Sequence, residues 1–81
     1  MTAEEIIKTF NSKYPDKTVV RIGDVDHKAA IITAVKDVNT REMDPFWVIE
    51  YTTKTILPFS VGNSFEAFQK SRKNVLYEYS M

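Results

Sequence analysis

The chain contains no cysteine, one histidine and two glycines among its 81 residues. Without cysteine it forms neither a disulfide nor a thiolate metal site, and it has no thiol nucleophile. Gly23 and Gly62 stand far apart, which excludes a glycine-rich phosphate loop and a nucleophile elbow. The lone His27 has only Asp24 and Asp26 beside it, too few ligands for a strong transition-metal site. Gly23 precedes those acids instead of falling among them, so Asp24, Asp26, Glu42 and Asp44 do not make a calcium loop. Long apolar runs are missing too, since no stretch approaches the roughly 18 residues that a membrane span needs. Charge of one sign is also lacking. Eleven Lys and Arg balance eleven Asp and Glu, so no global field draws nucleic acid or an anionic membrane.

The start, Met1-Thr2-Ala3-Glu4-Glu5, is acidic and runs into an amphipathic segment, unlike the basic opening of a secretory signal. Ser60, Ser64, Ser71 and Ser80 have no base in any recognisable pattern. Together these features predict a cytoplasmic protein that is not an enzyme and uses no cofactor, no metal and no membrane.

What is present suits a folded domain. Hydrophobic residues make up 43%, aromatics 12% and charged residues 27%, too apolar for a disordered chain. The length predicts a single domain over residues 1–81 with one core.

Thr2 and Glu5 make a capping box, and Ala3, Ile6, Ile7, Phe10 and Tyr14 recur at helical spacing, predicting a helix over 3–13. Tyr14-Pro15 stops it. The β-branched run Thr18–Ile22, a turn at Gly23-Asp24-Val25-Asp26 and the run Ala29–Val35 predict an antiparallel hairpin. After the polar stretch 36–45, Phe46–Tyr51 reads as a third strand. Thr55-Ile56-Leu57 reads as a fourth, placed at a sheet edge because Pro58 interrupts its ladder. Asn63 and Glu66 repeat the capping pattern ahead of a second helix carrying Phe65, Phe68 and Arg72. Val75–Tyr79 alternates like a strand but could equally prolong that helix. The fold class is therefore α+β: an N-terminal helix, a three- to four-stranded antiparallel meander and a C-terminal helix, with a short final strand as the open alternative. Ile6, Phe10, Val20, Ile22, Ile49 and Phe68 are the expected core.

Alternation places Trp47, Ile49 and Tyr51 on one face of the sheet and Phe46 and Val48 on the other. Ile31 and Val35 oppose Ala30, Ile32 and Ala34 in the same way, so both faces are apolar and a single helix leaves one uncovered. Either the two helices pack on opposite faces, or the second face is an interface with another protein or a second copy. Phe46, Trp47, Val48 and Tyr51 are the candidate protein-binding residues, with the 36–45 loop as a further contact. The alternative is a nucleic-acid site at the basic end of the second helix, where Lys70, Arg72 and Lys73 are followed by Tyr77. Cations at a helix C-terminus account for the same cluster without a ligand.

The capped helix Thr2-Ala3-Glu4-Glu5-Ile6-Ile7, its stop at Tyr14-Pro15, the strand pair and the segment Ile49–Leu57 together resemble the PepSY-like unit of a helix plus an antiparallel sheet, over residues 2–57. Thr53 matches that family's last hairpin, while Glu50, Tyr51 and Lys54 stand where it has Asp, Ala and Gly. The resemblance implies a regulatory or inhibitory binding module and carries no site residues. The element order also resembles a double-stranded-RNA-binding domain, whose paired lysines are replaced here by Ser64-Phe65-Glu66. The expected function is a small protein-binding or regulatory module of phage, plasmid or accessory bacterial type, with an unidentified protein or a second copy of the chain as partner. Nucleic-acid binding is the alternative.

Overall fold

A computed structural model of the chain describes residues 1–39 and 45–80. Helix α1 spans Ala3–Lys13, and its N-terminus is held by the expected capping box between Thr2 and Glu5. Glu4 and Glu5 in its first turn and Lys13 in its last complement the helix dipole. Five strands follow: β1 Thr18–Val25, β2 Ala29–Val35, β3 Phe46–Glu50, β4 Ile56–Phe59 and β5 Val75–Glu78. A single 3-10 turn, Val61–Asn63, leads from β4 into helix α2, Phe65–Lys73. All strand pairs are antiparallel and the sheet order is β4-β3-β2-β1-β5, so the first four strands form the expected meander. The final segment is the strand of the two alternatives. Asn74 caps α2, and β5 returns along the outer side of β1.

Several boundaries move, each for a local reason. The β1–β2 turn lies at Asp26-His27, both with positive φ, instead of starting at Gly23. Lys28 N–H bonds to the Val25 carbonyl at 3.1 Å, closing a two-residue hairpin, and β1 thus runs three residues further than the β-branched run suggested. Gly23 serves another purpose, for α2 crosses directly above it: a Cβ built there would lie 1.9 Å from the Ser71 carbonyl oxygen. The N-cap of α2 is Ser64, whose hydroxyl accepts the Ala67 N–H, and not Asn63, whose side chain accepts the Ser60 N–H one turn earlier. β3 stops at Glu50, and β4 runs through Pro58 to Phe59.

Facing residues of paired strands share a side, so the registers sort the sheet into two faces. Ile22, Ile32 and Trp47 form one row of the first face, and Asp24, Ala30, Ile49 and Ile56 form the next. Ile6 and Phe10 of α1 join these apolar side chains in one buried cluster. Phe10 stands edge-on to Trp47, with centroids 5.0 Å apart, and Tyr14 completes the aromatic group. The second face carries Gly23, Ile31, Val48 and Leu57 in one row and Arg21, Thr33, Phe46 and Phe59 in another. Helix α2 lies on this face over β1 and touches β2. The two helices therefore pack on opposite faces. Of the expected core, Ile6, Phe10, Val20, Ile22 and Ile49 are buried, whereas Phe68 is only half-buried because α2 is short and its outer side faces solvent.

The β4 edge is blunted. Pro58 brings no N–H to its ladder, and Lys13 Nζ donates to the Ile56 carbonyl at 3.0 Å.

Candidate functional site

The expected aromatic residues do not form one surface. Trp47 is 7% exposed and lies beneath α1, with the Lys17 ammonium 5.6 Å from its ring centroid. Tyr51 follows β3 on the same side and is half-buried. Its hydroxyl donates to Asp24 Oδ1, and Asp24 Oδ2 accepts the His27 N–H at 3.0 Å. Burial first, then the hydrogen bond and the negative charge of Asp24, hold the Tyr51 hydroxyl well above its ordinary pKa. Asp24 thus ties the β1–β2 hairpin to the end of β3. The His27 ring, 98% exposed, stands outside that arrangement even though its Nδ1 comes within 3.5 Å of Asp24. Among the described residues no group of three metal-ligating side chains occurs.

Phe46 and Val48 point to the second face. Phe46 meets Phe68 of α2 edge-on at 5.3 Å, while Val48 lies farther from the helix and is half-buried. Exposure rises outward along the row from beneath α2: Gly23 is buried, Ile31 is 3% exposed, Val48 is intermediate and Leu57 is 56% exposed. Phe65, in the first turn of α2, is 60% exposed. Of the 36–45 loop, residues 40–44 lie outside the described residues.

The basic set is dispersed as well. Lys70 Nζ pairs with Asp26 at 3.0 Å and with Glu66 at 3.1 Å, and both hydrogen bonds raise its pKa. It thereby ties α2 to the hairpin turn. The Arg72 guanidinium lies 5.7 Å from the Phe68 ring centroid, Lys73 is exposed, and Tyr77 packs against the α1-side core on the opposite face. Lys70, Arg72 and Lys73 therefore do not share a surface with Tyr77.

Two features carry no signal in the linear sequence. Leu57 reads as one more strand hydrophobe, and only the position of α2 leaves it open. Arg21 reads as a solvated interruption of an apolar run, yet it stands on the second face beside α2. There it lines a cleft of about 340 Å³ with Thr33, Phe46, Phe68 and Arg72. A pleat count puts Arg21 and Thr33 on one face, but nothing in the sequence brings Arg72 to them.

Compared with protein-family models, curated proteins and solved structures, the chain matches none of them.

Proposed function

We propose that the chain is a small, non-enzymatic protein-binding module that engages its partner through the outer half of the second sheet face. The observation behind this reading is the gradient of exposure along Gly23, Ile31, Val48 and Leu57. Helix α2 covers β1 and reaches β2, so β3 and β4 present apolar side chains to solvent on a rigid, hydrogen-bonded platform. A flat apolar strip of this kind suits the packed centre of an interface, and Phe46 and Phe65 add aromatic area beside and beyond it. Strand addition at β4 is disfavoured, because Pro58 and Lys13 occupy that edge. The contact is therefore face-on, side chain against side chain. Asp24, Tyr51 and His27 hold the hairpin in place in this reading and perform no chemistry.

A photo-crosslinking residue at position 57, compared with one at the exposed Lys8 on the outer side of α1, tests the assignment in the native host. Adducts specific to position 57 and lost on Val48→Asp are expected. Light scattering of the purified protein at about 100 µM separates a second copy from a different partner. A monomer with the same adducts from both positions, or none from position 57, overturns the reading.

A further inference from the structure

The cleft beneath α2 adjoins the open strip. Its floor is the row Glu78, Arg21, Thr33 and Phe46, which crosses β5, β1, β2 and β3, together with Ile31 from the next row. Its roof is the side of α2 that carries Phe68, Ser71 and Arg72. The cleft encloses about 340 Å³, within reach of a small ligand but too little for a folded partner.

Its chemistry is uneven. Ile31, Phe46 and Phe68 make one part apolar, while Arg21 and Arg72 also line it. Arg21 Nη2 reaches Glu78 Oε2 at 3.4 Å, but its Nε is buried and has no hydrogen-bond partner among the described residues. That N–H is closed to solvent, so a ligand meets the other N–H groups of Arg21, whose side chain is 37% exposed. The Arg72 guanidinium lies 5.7 Å from the Phe68 ring centroid, within cation–π range, and the residue is exposed. Two arginines against the single acid Glu78 leave one positive charge among these groups. That balance matches a monoanion better than a dianion such as phosphate, and the planar forks of arginine match a carboxylate.

We propose that this cleft binds a small carboxylic acid with an apolar body, its carboxylate held by Arg21 and Arg72 and its body resting on Ile31, Phe46 and Phe68. The carboxylate can belong to a free acid or to the C-terminus of a peptide ending in an apolar residue, since both present the same group. The site borders the protein-binding strip and shares Ile31 and Phe46 with it, but Arg21 and Arg72 belong to the cleft alone and Val48 and Leu57 to the strip alone, so either assignment survives the failure of the other.

The test is a titration of the isotope-labelled protein followed by amide chemical shifts. The probes are 3-phenylpropanoate, its neutral counterpart 3-phenylpropanol, inorganic phosphate, and the tripeptide Ala-Ala-Phe with a free or an amidated C-terminus. Saturable shifts at Arg21, Thr33, Phe46 and Ser71 are expected with at least one free carboxylate. The alcohol and the amide should bind about tenfold or more weakly, as hydrogen bonds to a charged group require. Arg72→Gln, at an exposed position, and Arg21→Gln should each weaken binding about tenfold while leaving the remaining spectrum folded. Arg72→Lys, which keeps the charge but not the fork, should fall between wild type and Arg72→Gln. Preference for phenylpropanoate or for the peptide identifies the source of the carboxylate. The proposal is overturned if neither carboxylate gives saturable shifts below about 10 mM, if the alcohol or phosphate binds equally well, or if both Gln variants bind like wild type.

Discussion

Both faces of the sheet carry apolar side chains, yet α1 closes the first and α2 leaves the second half open. On the first face Ile6 and Phe10 reach Ile22, Ile32, Trp47 and Ile49, and the cluster extends to Ile56 at the sheet edge. On the second face α2 is two residues shorter than α1 and lies over β1, the strand next to the β5 edge. At Gly23 its backbone lies directly against that of β1. Closure is thus decided by where a helix lands and what it inserts, not by how apolar the strands are. A long helix inserting a phenylalanine and an isoleucine seals a face. A short one resting on a glycine leaves room for a cleft beneath it and an open strip beyond it.

The largest effect expected from this difference is at Phe10. Replacing it with alanine removes a fully buried ring that packs against Tyr14 and Trp47, and should cost about 3–5 kcal/mol. That is comparable to the whole stability of a domain of this size, so the variant should be largely unfolded in a urea titration at room temperature. A midpoint equal to wild type would show that α1 does not seal the first face. Gly23→Ala tests the second face. The added methyl group meets the Ser71 carbonyl, so α2 must lift from β1 at a cost of about 1–3 kcal/mol, with amide shifts concentrated in 65–73. An unperturbed α2 would mean that the helix rests elsewhere.

These two positions also show what could be read from the sequence. The Phe10 contact was legible because helical spacing and a capping box specify which side of α1 is apolar, and α1 spans the expected residues 3–13. The strand Ala29–Val35 was legible for similar local reasons, whereas the end of α2 was not, because Val75–Tyr79 reads equally as strand and as helix. Gly23 was not. A glycine followed by Asp24 and Asp26 has turn chemistry, and only the long-range crossing of α2 shows that the missing side chain is needed for close approach. The cap of α2 was misread: Asn63 and Glu66 have the capping pattern, but the Asn63 side chain is used by the 3-10 turn, and Ser64 caps the helix. The candidate site was less legible than the fold. Alternation separated Phe46 and Val48 from Trp47 and Tyr51, but it could not say which face a short second helix would leave open. Arg21 and Arg72 line one cleft although they stand 51 positions apart in the chain (72 − 21), a placement set by tertiary packing.

A smaller effect is expected at Tyr51, on the closed face. Tyr51→Phe removes the donor to the buried Asp24 and should cost about 1 kcal/mol by urea denaturation. The pH dependence has a definite sign. The Tyr51 pKa is raised in the folded state, so its contribution is fully present below the ordinary tyrosine value of about 10 and is lost as pH rises further. Wild type should therefore lose stability above about pH 10 more steeply than Tyr51→Phe. Parallel curves would remove Tyr51 as the source.

The smallest effect is expected at Leu57, and it is the sharpest measure of the difference between the faces. Leu57 and Ile56 are neighbours on β4, and the pleat sends them to opposite sides: Ile56 faces the α1 core at 4% exposure, Leu57 the open strip at 56%. Truncating Ile56 to alanine removes buried methyl groups and should cost about 2–5 kcal/mol, whereas Leu57→Ala should change the stability of the isolated monomer by no more than about 0.5 kcal/mol. The two variants strip opposite sides of one strand at neighbouring positions, so edge position cancels in the comparison, and the higher strand propensity of isoleucine accounts for only part of the expected gap. If the open strip is covered by a second copy, the result changes in a recognisable way. Wild-type stability then rises with protein concentration, because binding to the folded state alone shifts unfolding by mass action, and Leu57→Ala abolishes that dependence. A Leu57→Ala variant destabilised as strongly as Ile56→Ala at low micromolar concentration would show that the second face is closed within the monomer, and the protein-binding assignment would lose its basis.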